Sequence, residues 1–214
     1  MKDYTELVFI LDRSGSMHGL EADTIGGFNA MIEDQKKEDG DCCVSTVLFN
    51  QYSKVVHDRV PLDRIELMTG HDYRPSGCTA LIDAIGSAIH HIGNIHKYAR
   101  KEDVPKKTIF VITTDGMENA SHMYSAEQVR KMIQRQKDKY GWEFLFLGAN
   151  IDAVETAAFY GIDEDHAVEY HADEIGTGFV YESVSKGIRM GRSVGHIAED
   201  WKESVEADFR KRRR

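Results

Sequence analysis

Leu7-Val8-Phe9-Ile10-Leu11-Asp12-Arg13-Ser14-Gly15-Ser16 decides how this chain is read. Five consecutive apolar residues, with β-branched and aromatic side chains at their centre, read as a strand buried on both faces. The run then breaks into a carboxylate, two hydroxyls and a glycine, which is loop composition. In open α/β sheets, ligands bind where strands end at the carboxyl edge. The stretch therefore predicts a sheet and marks an edge of it as the place to look for chemistry.

Working outward, three further apolar runs at 44–49, 108–112 and 144–147 read as buried strands, with a short strand at 167–170. Helical patterns separate them. The clearest runs over 80–98, where Leu81, Ile85, Ala88, Ile92, Ile95 and Ala99 draw one apolar stripe. Others cover 20–37, with Ile25, Phe28 and Ile32 inward, a segment opened by the capping box Ser125-Ala126-Glu127-Gln128, a short piece at 152–160, and 175–190 with Val180, Val184 and Ile188. Strands alternating with helices imply a parallel sheet covered on both faces. The exception is 43–60, where only Asn50-Gln51-Tyr52-Ser53 separates two strand candidates, so one edge strand is expected to be antiparallel. The stretch 61–78 reads as a long irregular loop. Ile197, Trp201 and Val205 predict a last helix that docks on the body, giving a division into a domain over 4–192 and a helical extension with a basic tail over 193–214.

Composition bounds the function. The 214 residues include 27 Lys and Arg against 36 Asp and Glu, a net charge of −9, with 41% hydrophobic residues. That is enough for one substantial core. Five basic residues sit in the tail Arg210-Lys211-Arg212-Arg213-Arg214, which reads as a solvated terminus, and the acidic remainder argues against a nucleic-acid partner. The run 7–11 is far too short for a signal segment or a membrane span, which takes about 20 residues. Cys42-Cys43 and Cys78 form no disulfide framework or paired zinc pattern. A cytoplasmic protein without a membrane anchor is expected. Cys78 reads as a small buried filler, and His90, His91 and His96 lack the i, i+4 spacing of a zinc pair.

The strand at 108–112 runs on into Thr113-Thr114-Asp115-Gly116, which brings a second carboxylate to the same edge if the two strands are neighbours. The long loop delivers Ser76-Gly77-Cys78-Thr79 to a helix start. Asp12, Asp115, Ser14, Ser16 and Thr79 make an all-oxygen set suited to a hard divalent cation, Mg²⁺ first, then Mn²⁺ or Ca²⁺. Hydroxyl and water-mediated ligands leave a position open for an outside oxygen. A partner's carboxylate fits there.

These elements, in this order, resemble the DxSxS, Thr and Asp elements of the metal-ion-dependent adhesion site of von Willebrand factor type A domains, and the resemblance covers roughly residues 4–190. It implies a doubly wound, Rossmann-like, mostly parallel sheet with one antiparallel edge strand. It also implies a metal held directly by Ser14, Ser16 and Thr79, with Asp12 and Asp115 ligating directly or through water. Many members carry Gly where Cys78 stands. Intracellular members serve as adaptors, some beside AAA-type ATPases, so the resemblance implies a non-enzymatic module that binds an acidic residue of a protein partner. The competing reading is a Mg²⁺-dependent phosphatase or hydrolase with Asp12 as phosphoryl acceptor, although Ser14 stands where a second Asp is usual and no lysine is well placed. No phosphate-cradling glycine loop or GxSxG elbow occurs. His18 reads as a rim residue. Glu118 and Asn119 read either as shaping the site or as capping a turn.

Overall fold

The computed structural model describes residues 4–212, so Arg213 and Arg214 of the basic tail lie outside the described residues. Its strands are β1 (Tyr4–Asp12), β2 (Asp41–Phe49), β3 (Ser53–Pro61), β4 (Lys107–Thr114), β5 (Glu143–Ala149) and β6 (Ala167–Tyr170). They form one sheet in the order β3-β2-β1-β4-β5-β6. All neighbours are parallel except β2 and β3, the expected antiparallel edge, whose pairing slips in register between Val44 and Val47. β1 is central and pairs with both β2 and β4. The strands before β4 are laid down on one side of β1 and those from β4 onward on the other, so the strand order switches between β1 and β4, the place where open sheets of this kind form a crevice beyond the carboxyl ends.

The helices are α1 (Glu21–Gln35), α2 (Leu81–Tyr98), α3 (Ala126–Tyr140), α4 (Ala153–Phe159), α5 (Glu174–Val194) and α6 (Glu203–Arg212). Leu7, Phe9 and Leu11 of β1 point into a core shared with α1, α5 and α6, whereas Val8 and Ile10 point into a second core under α2, α3 and α4. This alternation explains the unbroken apolar run, since successive strand residues face opposite sides and both sides are covered. β1 starts three residues before that run. Glu6 is wholly buried there, held by Arg59 Nε at 2.7 Å and by His96. A buried carboxylate needs such partners.

Caps fix the helix ends. Ser125 and Gln128 form the capping box anticipated for α3, and Gly141 closes that helix in the left-handed conformation at φ 64°. α5 continues one turn past the expected residue 190 and ends at Gly195. The final helix differs from expectation. Ile197 lies in a loop, Trp201 in a single 3-10 turn (Glu199–Lys202), and only Val205 in α6, although all three are buried in the α5-side core. Gly195 at φ 86° interrupts what the spacing alone read as one helix. The Trp201 indole donates to the Asp165 carbonyl at 2.8 Å, and Lys202 donates to the carbonyls of Glu164 and Ala167, so the extension is docked on the body. No helix among the described residues is long and apolar enough to cross a membrane.

Candidate metal centre

Asp12 is the last residue of β1 and Asp115 the first residue after β4, and the pairing of Leu11 with Thr113 sets these strand ends side by side. Asp12 is 1% exposed and both its oxygens are engaged. Oδ1 accepts the Ser14 N–H at 2.7 Å, and Oδ2 accepts the Thr114 hydroxyl at 2.6 Å. From Ser14 a chain of hydroxyls leads outward: Ser14 Oγ lies 3.0 Å from Ser16 Oγ, which donates to Asp115 Oδ1 at 2.6 Å. Ser14 and Asp115 are buried while Ser16 is exposed, so the cluster opens to solvent at Ser16.

Thr79 reaches the cluster from another direction. A β-carbon built on Gly116 would stand 3.2 Å from Thr79 Oγ1, 3.3 Å from Ser16 Oγ and 4.0 Å from Ser14 Oγ. The three hydroxyls thus converge on one small space, which Gly116 keeps free. The backbone that holds them is tightly laced. Arg13 N–H donates to the Phe49 carbonyl at 2.7 Å, Gly15 N–H to that of Gly77 at 2.9 Å, Ser76 N–H to that of Arg13 at 2.9 Å, and Ala80 N–H to that of Asn50 at 2.9 Å. Gly77 adopts φ 75°, and a β-carbon there would fall 1.7 Å from Gln51 Oε1, the atom that accepts the Cys78 N–H. The left-handed φ calls for glycine at 77, and a β-carbon there would also push the Gln51 side chain off the Cys78 N–H.

Residues beyond these five position the cluster. The Tyr73 hydroxyl, buried in the long loop, donates to the Asp12 carbonyl, and Thr114 anchors the Asp12 carboxylate. Asn119 Oδ1 accepts the Thr79 N–H at 2.9 Å, while the Thr79 carbonyl accepts the N–H groups of Asn119 and Ala120. Glu118 accepts the Ala120 and Ser121 N–H groups at 2.9 and 2.7 Å, which caps the turn that follows it, and the Ile82 N–H at 2.8 Å at the start of α2. Both alternatives posed for 118 and 119 are therefore realised, one by each residue. The Thr-Asp sequence ending β4 was the available signal for Thr114. Tyr73 offered none, because its contact spans 61 residues. Cys78 corrects an expectation: it is exposed, because the turn at Gly77 directs its backbone inward to Gln51. His18 is exposed and lies 3.3 Å from Glu21. His91 is exposed beside Asp58, and His96 is turned to Glu6.

Burial raises the Asp12 carboxyl above its ordinary value, with Asp115 adding to the rise and the Thr114 and Ser14 hydrogen bonds opposing it. Burial raises Asp115 as well, against the hydrogen bond from Ser16. Neither carboxylate forms an ion pair with Lys, Arg or His among the described residues. No group of three or more His, Cys, Asp or Glu converges among the described residues either. The donor types at this edge are two carboxylates and three hydroxyls, the oxygen-only chemistry of a hard cation.

No protein-family model and no curated protein matches the sequence. Solved structures share its shape. The von Willebrand factor domain of the type V pili tip protein Mfa5 from Porphyromonas gingivalis aligns over 93% of this chain and 99% of its own, with a TM-score of 0.65 at 10% identity. Proximal thread matrix protein 1 from the mussel byssus, solved with a zinc-occupied MIDAS motif, aligns over 88% of this chain with a TM-score of 0.59 at 15% identity. The ArnB paralog VWA2 from Sulfolobus acidocaldarius aligns over 87% with a TM-score of 0.56 at 14% identity. This chain spans 46% and 45% of those last two proteins. The chain has the von Willebrand factor A-type fold.

Proposed function

We propose that this protein is a non-enzymatic binding module that takes up a divalent cation, Mg²⁺ in the first instance, between Ser14, Ser16 and Thr79, with Asp12 and Asp115 supplying charge directly or through water. With the cation in place, the module binds an Asp or Glu carboxylate of a protein partner. One observation carries this reading. Three hydroxyls from two separate segments, those of Ser14, Ser16 and Thr79, lie within 4.0 Å of the point where a β-carbon on Gly116 would stand. The cation would supply the positive charge that offsets the cost of desolvating the partner's carboxylate. The chain's residues do the rest: Thr114, the Ser14 amide and Tyr73 hold Asp12, Asn119 holds Thr79, and Ser16 leaves the cluster open to solvent. The mussel protein with its zinc-occupied motif supports a divalent cation in a protein of this fold. A cytoplasmic setting and an adaptor role beside an AAA-type ATPase extend the same proposal.

The phosphatase reading fares worse on the geometry. A phosphoryl acceptor needs a carboxylate oxygen free to attack, and both Asp12 oxygens are hydrogen-bonded in a buried position. Calorimetric titration of Mg²⁺, Mn²⁺ and Ca²⁺ tests the proposal, with Asp12→Ala, Thr79→Ala and Thr79→Ser alongside and a carboxylate mimic added in a second series. Saturable binding that both alanine variants lose and Thr79→Ser keeps is expected. Binding that survives Asp12→Ala, or generic phosphate release lost in Asp12→Asn, would overturn it.

A further inference from the structure

The C-terminal halves of α2 and α3 leave a groove between them, about 20 Å from Thr79 along α2 at 1.5 Å per residue. Its volume is about 480 Å³, and its floor includes Trp142 and Gly93. Trp142 is 4% exposed and stacks on Phe110 at 5.3 Å between ring centroids. Gly93 leaves the groove's floor open: a β-carbon there would stand in van der Waals contact, 3.5 Å from the Gln136 amide and 4.0 Å from the Trp142 ring. Apolar flooring is ordinary. The charge around it is not.

The chain carries a net charge of −9, yet no Asp or Glu lines this groove, while Lys97, Arg135, His90 and His96 do. α3 alone bears five basic residues against two acidic ones. Some of these groups are engaged. His96 is held by Glu6, and His90 lies 3.3 Å from the Tyr124 hydroxyl. Lys97 Nζ lies 4.9 Å over the Tyr98 ring, and Arg135 reaches the Tyr140 hydroxyl. Among the described residues neither has a carboxylate partner. Basic residues at helix C-termini complement the macrodipole, which accounts for Lys97 in the last turn of α2. It does not account for Arg135, five residues before the end of α3.

We propose that this groove docks an acidic segment of a partner protein, its carboxylates meeting Lys97 and Arg135 and one aromatic or branched apolar side chain seated over Gly93 against Trp142. The two tryptophans make it testable. Trp142 floors the groove, and Trp201 is buried in the other core, so two indole N–H resonances report separately. The isotopically labelled protein is titrated in EDTA, which withholds any cation from the Asp12 site, with the synthetic peptide Glu-Glu-Leu-Phe-Glu-Glu-Leu and with its glutamine counterpart. The Trp142 resonance should move saturably with the acidic peptide while that of Trp201 stays. Binding should weaken at least tenfold in the Lys97→Glu/Arg135→Glu double variant and several-fold in Arg135→Gln, with the Trp201 resonance certifying the fold of each. No movement of Trp142 up to millimolar peptide, equal binding of the glutamine peptide, or undiminished binding by the variants would overturn the proposal. A Trp142 shift on concentrating the protein alone would also overturn it and assign the groove to a second copy of the chain.

Discussion

Gly116 shows how one missing methyl group shapes the candidate site. Its φ is not in the left-handed region, so alanine is conformationally acceptable there, but the added carbon would stand 3.2 Å from Thr79 Oγ1 and 3.3 Å from Ser16 Oγ. Hard cations bind oxygen at about 2.0–2.6 Å, and the methyl group would crowd that volume without removing a donor. Gly116→Ala should therefore weaken cation binding at least tenfold while shifting stability in EDTA by less than about 1 kcal/mol, because the neighbouring hydroxyls need to yield only a few tenths of an ångström. Titration calorimetry and chemical unfolding of the same preparation check both halves. Cation affinity equal to that of the unsubstituted protein would place the ion elsewhere. The five candidate residues were legible as a pattern because two carboxylates and two hydroxyls lie at or just past the ends of β1 and β4 and a third hydroxyl stands just before α2. Tyr73 was not, since its role rests on a hydrogen bond to a backbone carbonyl 61 residues away, and Asn119 was legible only as one of two alternatives, since its bond reaches a backbone amide 40 residues away.

Among the elements, β1, β2, β4 and β5 were readable because burial on both faces leaves an apolar run in the sequence. The apolar run understates β1 at its start, because Glu6 is charged and its burial depends on Arg59 and His96, which lie on other elements. The irregular loop was read as irregular, but the way it buries Leu62, Ile65, Met68 and Tyr73 in the α5-side core has no local periodicity. Packing between α1 and α5 makes a sharp prediction. A β-carbon on Gly27 would lie 2.2 Å from Cδ2 of the Tyr181 ring, and a buried ring cannot swing aside as a flexible chain end can. Gly27→Ala should cost about 1–3 kcal/mol of stability, measured by urea unfolding, and a neutral result would mean that the two helices part freely. The β2–β3 hairpin makes another. His57 is 8% exposed, with Nδ1 3.0 Å from Thr46 Oγ1, and burial lowers its pKa below the ordinary value. The unfolded chain then takes up a proton more readily than the folded one. This contribution to stability is present above about pH 6.5 and is lost as pH falls through the folded-state value. His166 is lowered by burial too, so the drop in urea midpoint between pH 7.5 and 5.5 should shrink in His57→Gln and shrink further when His166→Gln is added.

At the scale of the whole molecule, the strand order makes the site a property of the folded chain alone. Ser16 and Asp115 are 99 residues apart in sequence, and Thr114 and Asp12 are 102 apart. Only the pairing of β1 with β4, and the lacing of the β2–β3 turn to the start of α2, brings these groups together. A cation that needs all of them has almost no affinity for the unfolded chain, so its binding free energy appears as stability. At a hundred times its dissociation constant, Mg²⁺ should add about 2.7 kcal/mol. A domain of this length gains about 2–4 °C per kcal/mol, so the midpoint of thermal unfolding should rise by about 5–11 °C and fall back on adding EDTA. The Asp12→Ala protein should show no rise. Monovalent salt at matched ionic strength separates this from general screening of an acidic protein, because screening relieves repulsion across the whole surface and would shift the variant equally. Equal shifts in both proteins would mean that the ion acts on net charge and that the convergent hydroxyls hold no metal.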